Sequence, residues 1–238
     1  MSALSPLSAH HYRPMLEQGR WFSTIDEGLK QQVVANAIIR RLSANECIFS
    51  RGDGFNGLFA VVSGVIRISG VRGHADSGKE SLLALLEAPE WFGELTLFDL
   101  KQRSHSAWSE SEAIVLQVPP PALATILEQH PYYWRDFALL LAQKLRLTFT
   151  AIEQTAVLQA SGRLAYRLLM MSNWDSVRHS SLQRRVLTIS QEQLSQLLAL
   201  SRQTTNQILK EFERQKIIQL HRNSIEIVDL EGLKALMI

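Results

Sequence analysis

Apolar positions recur along this chain with two different periods, and the changeover between them is sharp. From about Glu46 to Val118 they come in short runs punctuated by glycine: CIFSRGDGFNGLFAVVSGVIRISGVRG, then SLLALLEAPEWFGELTLF, then AIVLQV. Runs of this length between turn-forming residues predict short strands of an antiparallel barrel or sandwich. The piece VVSGVIRISG sets β-branched residues on both sides of a glycine turn, which strengthens that expectation.

After His130-Pro131 the period becomes helical. Neither Gly nor Pro occurs from Trp134 to Gln159, and Trp134, Ala138, Leu141, Leu145, Thr148, Ile152, Thr155 and Gln159 follow the four-and-three spacing of a heptad seam. A helix of about 25 residues is about 37 Å long, more than a small barrel is wide. Its apolar seam therefore predicts pairing with the same helix of a second chain. Beyond Ser161-Gly162 come a second amphipathic helix (RLAYRLLMMSNW), a polar loop (DSVRHSSLQRR) and a short apolar stretch (VLTI). The alternation IIQLHRNSIEIV closes the chain as a hairpin turning at His221-Arg222-Asn223-Ser224.

Between the apolar stretch and that hairpin lies ISQEQLSQLLALSRQTTNQILKEF. Ser190 followed by Gln193 is a capping box that starts a helix. Leu194, Leu197 and Leu198 form its apolar face, and Ser195 is small where a second helix could cross. Ser201 caps a second helix, whose Thr205, Ile208, Leu209 and Phe212 share another buried face. On the opposite side Arg202, Gln203, Asn206, Gln207 and Lys210 project together, with no acidic residue on that face before Glu211. Arginine pairs with guanine through two bonds, and Asn and Gln do the same with adenine. Ser201 and Thr204 stand at the helix N-terminus, where free amides and the dipole favour a phosphate. With Ser190 and Gln191 at the start of the preceding helix, these residues make up the expected DNA-contacting set.

Charge and composition sharpen the picture. Residues 1–159 carry 14 Lys and Arg against 16 Asp and Glu, while residues 160–238 carry 11 against 7. The basic part therefore coincides with the two-helix segment, as expected of a domain that meets a polyanion. The single cysteine, Cys47, excludes an internal disulfide or a cysteine-held metal centre within one chain. No apolar run approaches the roughly 20 residues of a membrane span, and MSALSPLSAHHYRP does not read as a secretory signal. The expected compartment is the cytoplasm. Walker-type glycine loops, a nucleophile elbow and HExxH spacing are missing from the sequence, which argues against an enzyme. The cluster Glu94, Arg103 and His105 suits holding a phosphate better than cleaving one.

LTISQEQLSQLLALSRQTTNQILKEFERQKII followed by HRNSIEIV closely resembles the winged helix-turn-helix of the CRP/FNR family of transcription regulators. The resemblance extends over almost the whole chain, because barrel, long helix and basic winged domain occur in that order. It implies an α+β fold in three parts. Residues 1–130 would form a cyclic-nucleotide-binding-like β-roll (a double-stranded jelly roll) with an N-terminal helical arm, 131–159 the dimerisation helix and 160–238 the DNA-binding domain. It also implies a homodimer on an inverted-repeat operator in double-stranded DNA, a contact with RNA polymerase, and Arg202, Gln203 and Gln207 as base readers. Ala199 stands where many members have glycine, with a small geometric effect expected. Gln203 stands where the best-known members carry Glu, so the operator should differ.

WFGELTLFDLKQRSHSAW resembles the phosphate-binding cassette of that family. Gly93 would let amides approach a phosphate, Glu94 would accept from a ribose hydroxyl, and Arg103 with Ser104 would hold the cyclic phosphate. A second register puts His105 in the place of the arginine. The resemblance places Leu95 in the cassette and Thr148 of the long helix against the purine; Phe149 follows where cyclic-AMP responders tend to have a small hydroxyl residue, and would either stack on a base or fill the pocket. Three readings stay open at this stage: cyclic AMP or another cyclic nucleotide, another small ligand, or an empty pocket in which Glu94 merely bridges Arg103. Cysteine-held iron–sulfur centres are excluded, and haem is poorly supported. Of His10, His11, His74, His105, His130, His179 and His221, only His10 and His11 are adjacent, on an arm expected to be mobile.

Overall fold

The structure is a computed structural model that describes residues 8–71, 80–172 and 185–237. Met1–Leu7, His74, His179 and nearly all of the polar loop DSVRHSSLQRR lie outside the described residues. The chain divides into two compact units, Met1–Arg146 and Leu147–Ile238.

The first unit opens with a short 3-10 turn, Ala9–Tyr12, and helices α1 (Arg13–Leu16) and α2 (Glu27–Ala35). Asp26 caps α2 by accepting from the amides of Gly28 and Leu29. The arm is not loose as anticipated. Ala9, Leu16, Trp21 and Phe22 are buried, and Phe22 stacks on Trp91 with 5.5 Å between ring centroids. Burial of so much aromatic surface fixes the arm on the barrel.

Among the described residues eight strands follow: β1 (Ile38–Leu42), β2 (Cys47–Phe49), β3 (Leu58–Ser63), β4 (Val65–Val71), β5 (Glu80–Glu87), β6 (Trp91–Phe92), β7 (Ser106–Ser109) and β8 (Ala113–Val118). They form two antiparallel four-stranded sheets, ordered β1-β8-β3-β6 and β2-β7-β4-β5. Phe49, Phe59, Phe92, Val61, Ile66 and Val115 close one core, while Trp21, Phe22, Trp91 and Phe137 belong to the other. Between β6 and β7 runs the short helix α3 (Leu95–Asp99), ended by Leu100 in the left-handed region. Helix α4 (Pro120–Gln129) was not anticipated from the pattern. It starts on proline, which suits a first turn, and buries Leu123, Ile126 and Leu127.

Helix α5 (Trp134–Val157) carries two faces. Phe137 and Leu140 are buried in the first unit, and the Asp136 carbonyl accepts from the Trp21 indole at 2.6 Å. Among the expected seam positions, Leu145 and Ile152 are 51% and 61% exposed. Trp134, also a seam position, instead packs its ring against Phe98 with 5.5 Å between centroids.

The second unit contains the end of α5, α6 (Ala160–Met171), β9 (Arg185–Leu187), α7 (Gln191–Leu198), α8 (Arg202–Arg214), β10 (Ile218–Leu220), β11 (Ile225–Ile227) and α9 (Leu230–Ala235). The break expected at Ser161-Gly162 lies instead just before Ala160. Gly162 sits inside α6 because a Cβ there would stand 3.2 Å from the Leu236 carbonyl oxygen. The glycine serves a close approach and not a turn. β10 and β11 form the anticipated hairpin, closed by the His221 amide on the Ser224 carbonyl at 2.9 Å, and β9 adds a third strand beside β11.

Candidate nucleic-acid interface and effector pocket

The helix pair α7–α8 is built by its caps. The Ser190 hydroxyl accepts the Gln193 amide at 3.2 Å while the Gln193 side chain accepts the Ser190 amide at 2.9 Å. Ser201 caps α8 in turn, accepting the Thr204 amide at 3.0 Å. Leu194, Ser195, Thr205, Leu209 and Phe212 are buried between the helices and the rest of the unit. The turn between them needs a left-handed residue, and Ala199 takes it at φ 51° and ψ 37°. An alanine there is strained, so the small effect anticipated for this position understates what the backbone demands.

Burying one face of α8 leaves Arg202, Gln203, Gln207 and Lys210 exposed and Asn206 half-buried. Glu211 is drawn away by Arg214 and Gln215, whose bonds lower its pKa. Two of the expected DNA-contacting residues already have partners on α7: Arg202 is ion-paired through Nη2 to Glu192, and the Asn206 amide donates to the Gln191 side chain at 2.7 Å. The acid-free face of α8 thus has a carboxylate beside it, supplied by the neighbouring helix. Helical spacing within α8 cannot reveal Glu192, because the contact crosses the turn.

In the first unit, Gly93 has φ 91°, and a Cβ there would lie 3.1 Å from Nη1 of Arg103. Arg103 is only 4% exposed. Its Nη1 donates to the Gly93 carbonyl (2.7 Å) and the Thr96 hydroxyl (2.6 Å), and its Nη2 to the Asn56 side chain (2.6 Å) and the Gly57 carbonyl (2.7 Å). Phe49 lies against the guanidinium at 4.2 Å from the ring centroid, and Phe55 at 5.4 Å. Burial lowers the Arg103 pKa to about 10, opposed by Glu94 and Asp53, so it stays charged at neutral pH.

Glu94 is buried and accepts from Lys144 of α5 at 2.8 Å. A Glu94–Arg103 bridge is therefore replaced by two separate arrangements: the carboxylate goes to Lys144 and the guanidinium to carbonyls and side-chain oxygens. Leu95 is 48% exposed. The Ser104 hydroxyl meets Nδ1 of His105 at 2.9 Å. His105 is held below its usual pKa by burial and then by Arg51, so it is neutral at physiological pH. Arg103 and Ser104 border an open cavity of about 550 Å³ with Arg51, Gly52, Leu100, Lys101 and Gln102. Thr148 and the exposed Phe149 belong to the second unit. The Glu94 carboxylate is thus taken by Lys144 and both Nη groups of Arg103 by acceptors within the protein, while the buried Nε of Arg103 has no hydrogen-bond partner.

Residues 39–130 match the family described as Cyclic nucleotide-binding domain, and residues 162–236 match the Crp-like helix-turn-helix domain. Among curated proteins, the CRP-like cAMP-activated global transcriptional regulator of Mycobacterium tuberculosis is 28% identical over 186 residues, 78% of this chain and 82% of the relative. The Cyclic AMP receptor protein of Thermus thermophilus is 28% identical over 185 residues, 76% of this chain and 79% of the relative. Among solved structures, a transcriptional regulator of the CRP/FNR family from Thermus thermophilus aligns with a TM-score of 0.63 at 24% identity, covering 84% of this chain and 98% of its own. The c-di-GMP responsive global regulator CLP of Xanthomonas campestris aligns with a TM-score of 0.65 at 20% identity, covering 85% and 99%. The likeness to both structures is one of fold. Among the described residues no helix is long and apolar enough to cross a membrane.

Proposed function

The chain belongs to the CRP/FNR family of transcription regulators, and from that premise we propose that it acts in the cytoplasm as a homodimer that reads an inverted repeat in duplex DNA. The observation that carries this reading is the outward face of α8, where Arg202, Gln203, Asn206, Gln207 and Lys210 share one side of a capped helix. Ser190, Gln191, Ser201 and Thr204 meet the phosphate backbone, and the other five face base edges and flanking phosphates. The outward stripe of α5, with Leu145 and Ile152, pairs with the same helix of a second chain. Two copies then present two α8 helices one helical turn of DNA apart. RNA polymerase is the further partner. In this assignment residues 1–130 sense, 131–159 dimerise and 160–238 bind DNA.

The effector in this reading is a cyclic nucleotide at Gly93, Glu94, Leu95, Arg103, Ser104 and His105 of the β-roll. Cyclic AMP is the first candidate, since relatives are activated by it by name. A ligand shifts such a regulator only through its differential affinity for the DNA-competent state. One observation favours a second reading, in which the protein works without effector: both Nη groups of Arg103 and the Glu94 carboxylate are engaged by groups of the protein itself.

Gel-shift titration of the full chain on an operator selected from random duplexes, with and without cyclic AMP, tests both readings. Arg202→Ala abolishes selective binding under either one. A thermal-shift titration with cyclic AMP and cyclic GMP decides the effector: a ligand at about 100 times its Kd stabilises the fold by about 2.7 kcal/mol. Ser104→Ala is the suitable control, because its hydroxyl is exposed whereas Arg103 is built into the core. No shift at millimolar ligand selects the effector-independent form.

A further inference from the structure

Helix α7 supports α8 by more than packing. The Glu192 carboxylate in the first turn of α7 is ion-paired with Nη2 of Arg202, and one residue earlier the Gln191 side chain accepts from Asn206 at 2.7 Å. Arg202 and Asn206 stand one turn apart on the face assigned to DNA, so both bonds from α7 fall on reader side chains. Each leaves the reading edge open. Arginine has five N–H donors, and Glu192 engages one of them on Nη2, so four remain, more than the two that the O6 and N7 of a guanine need. Asn206 keeps its carbonyl and its second amide hydrogen, the pair an adenine needs.

Resting on the reading of Arg202 as a base contact, we propose that Glu192 is the positioning residue that sets base discrimination at the operator base facing Arg202. A long arginine loses much rotamer freedom when it docks. Arg202 is 72% exposed along its side chain, so little besides Glu192 restrains it before DNA arrives. An arginine tethered in advance meets one base in one geometry, whereas an untethered one can swing to a neighbouring phosphate that carries no sequence information. The same carboxylate opposes the phosphates, so Glu192 weakens sequence-independent binding. Positioning and repulsion together raise the ratio of specific to non-specific affinity. Glu192 also stands where a carboxylate favours the α7 dipole. That role alone would change stability without changing the preference at any one base.

The test uses the full-length protein and a random-sequence duplex pool, selected in parallel by wild type, Glu192→Gln and Arg202→Ala, each with and without cyclic AMP. Wild type enriches a guanine in each half-site that Arg202→Ala no longer requires. A good bidentate contact discriminates by about 5- to 150-fold, of which Glu192→Gln loses about three- to tenfold. The loss is confined to that guanine, and affinity for unselected duplex rises in the same variant. Undiminished guanine preference with uniformly tighter binding overturns the proposal and leaves Glu192 as a repulsive charge only. Equal weakening of preference at every position overturns it as well, since that is the signature of a disturbed helix pair. Should Arg202→Ala select the wild-type operator, the reading of Arg202 itself fails, an outcome distinct from failure of the Glu192 variant.

Discussion

Replacing Arg103 with alanine perturbs the interior of the β-roll before it affects any ligand. The guanidinium satisfies the carbonyls of Gly57 and Gly93, the Thr96 hydroxyl and the Asn56 side chain. Thr96 can turn toward the Gly93 carbonyl, already 3.4 Å away, and Asn56 is only partly buried, so the Gly57 carbonyl bears most of the loss. An unsatisfied buried acceptor costs about 1–3 kcal/mol, and lost contact with the rings of Phe49 and Phe55 adds about 1 kcal/mol. Water entering the vacated space offsets part of this, which brings the expected destabilisation to about 3 kcal/mol, against a typical total of about 5–15 kcal/mol. With a urea slope of about 2 kcal/mol per molar, the unfolding midpoint falls by about 1.5 M. Tryptophan fluorescence is a suited probe, because Trp21, Trp91, Trp108 and Trp134 all lie in the first unit. Arg103→Lys keeps the charge but cannot fork to two pairs of acceptors, and falls between. A midpoint for Arg103→Ala within error of wild type, without ligand, would refute the reasoning and return the guanidinium to the ligand side. If the loss is seen, a missing ligand response in that variant identifies no phosphate anchor.

Ala199→Gly relieves a left-handed alanine and raises the stability of the second unit by about 1 kcal/mol, seen as a higher melting temperature with the selected operator unchanged. His105 is held below its ordinary 6.5 in the folded state, so the unfolded chain takes up the proton first as pH falls. Its contribution is neutral above that value, and stability drops as pH goes from about 7 to 5.5. Melting curves of His105→Asn over the same range should be flatter, and identical slopes would disprove the assignment. Ile152→Lys places a charge on the outward stripe of α5 and shifts the protein from dimer to monomer in sedimentation without changing the fold of either unit, since Ile152 is 61% exposed.

Regular periods and caps made much of this molecule legible from its sequence. Gly-punctuated strands, the long α5, the caps at Ser190 and Ser201, and the wing hairpin all depend on residues within a few positions of one another, where periodicity and side-chain-to-backbone bonds act. The same locality explains the shared outer face of α8. What each polar group is bonded to could not be read this way. Arg103 finds Asn56 and Gly57, 47 and 46 residues back, Glu94 finds Lys144 50 residues on, and Arg202 finds Glu192 across a turn. The N-terminal arm that carries His10 and His11 is expected to be mobile, yet it docks because Phe22 and Trp21 meet Trp91 and Phe137, brought together only by closure of the barrel. Helical spacing placed Arg202, Gln203, Gln207 and Lys210 on one exposed side of α8. Long-range folding chose their partners, because a buried charge or donor takes whichever acceptor the packed chain brings within reach.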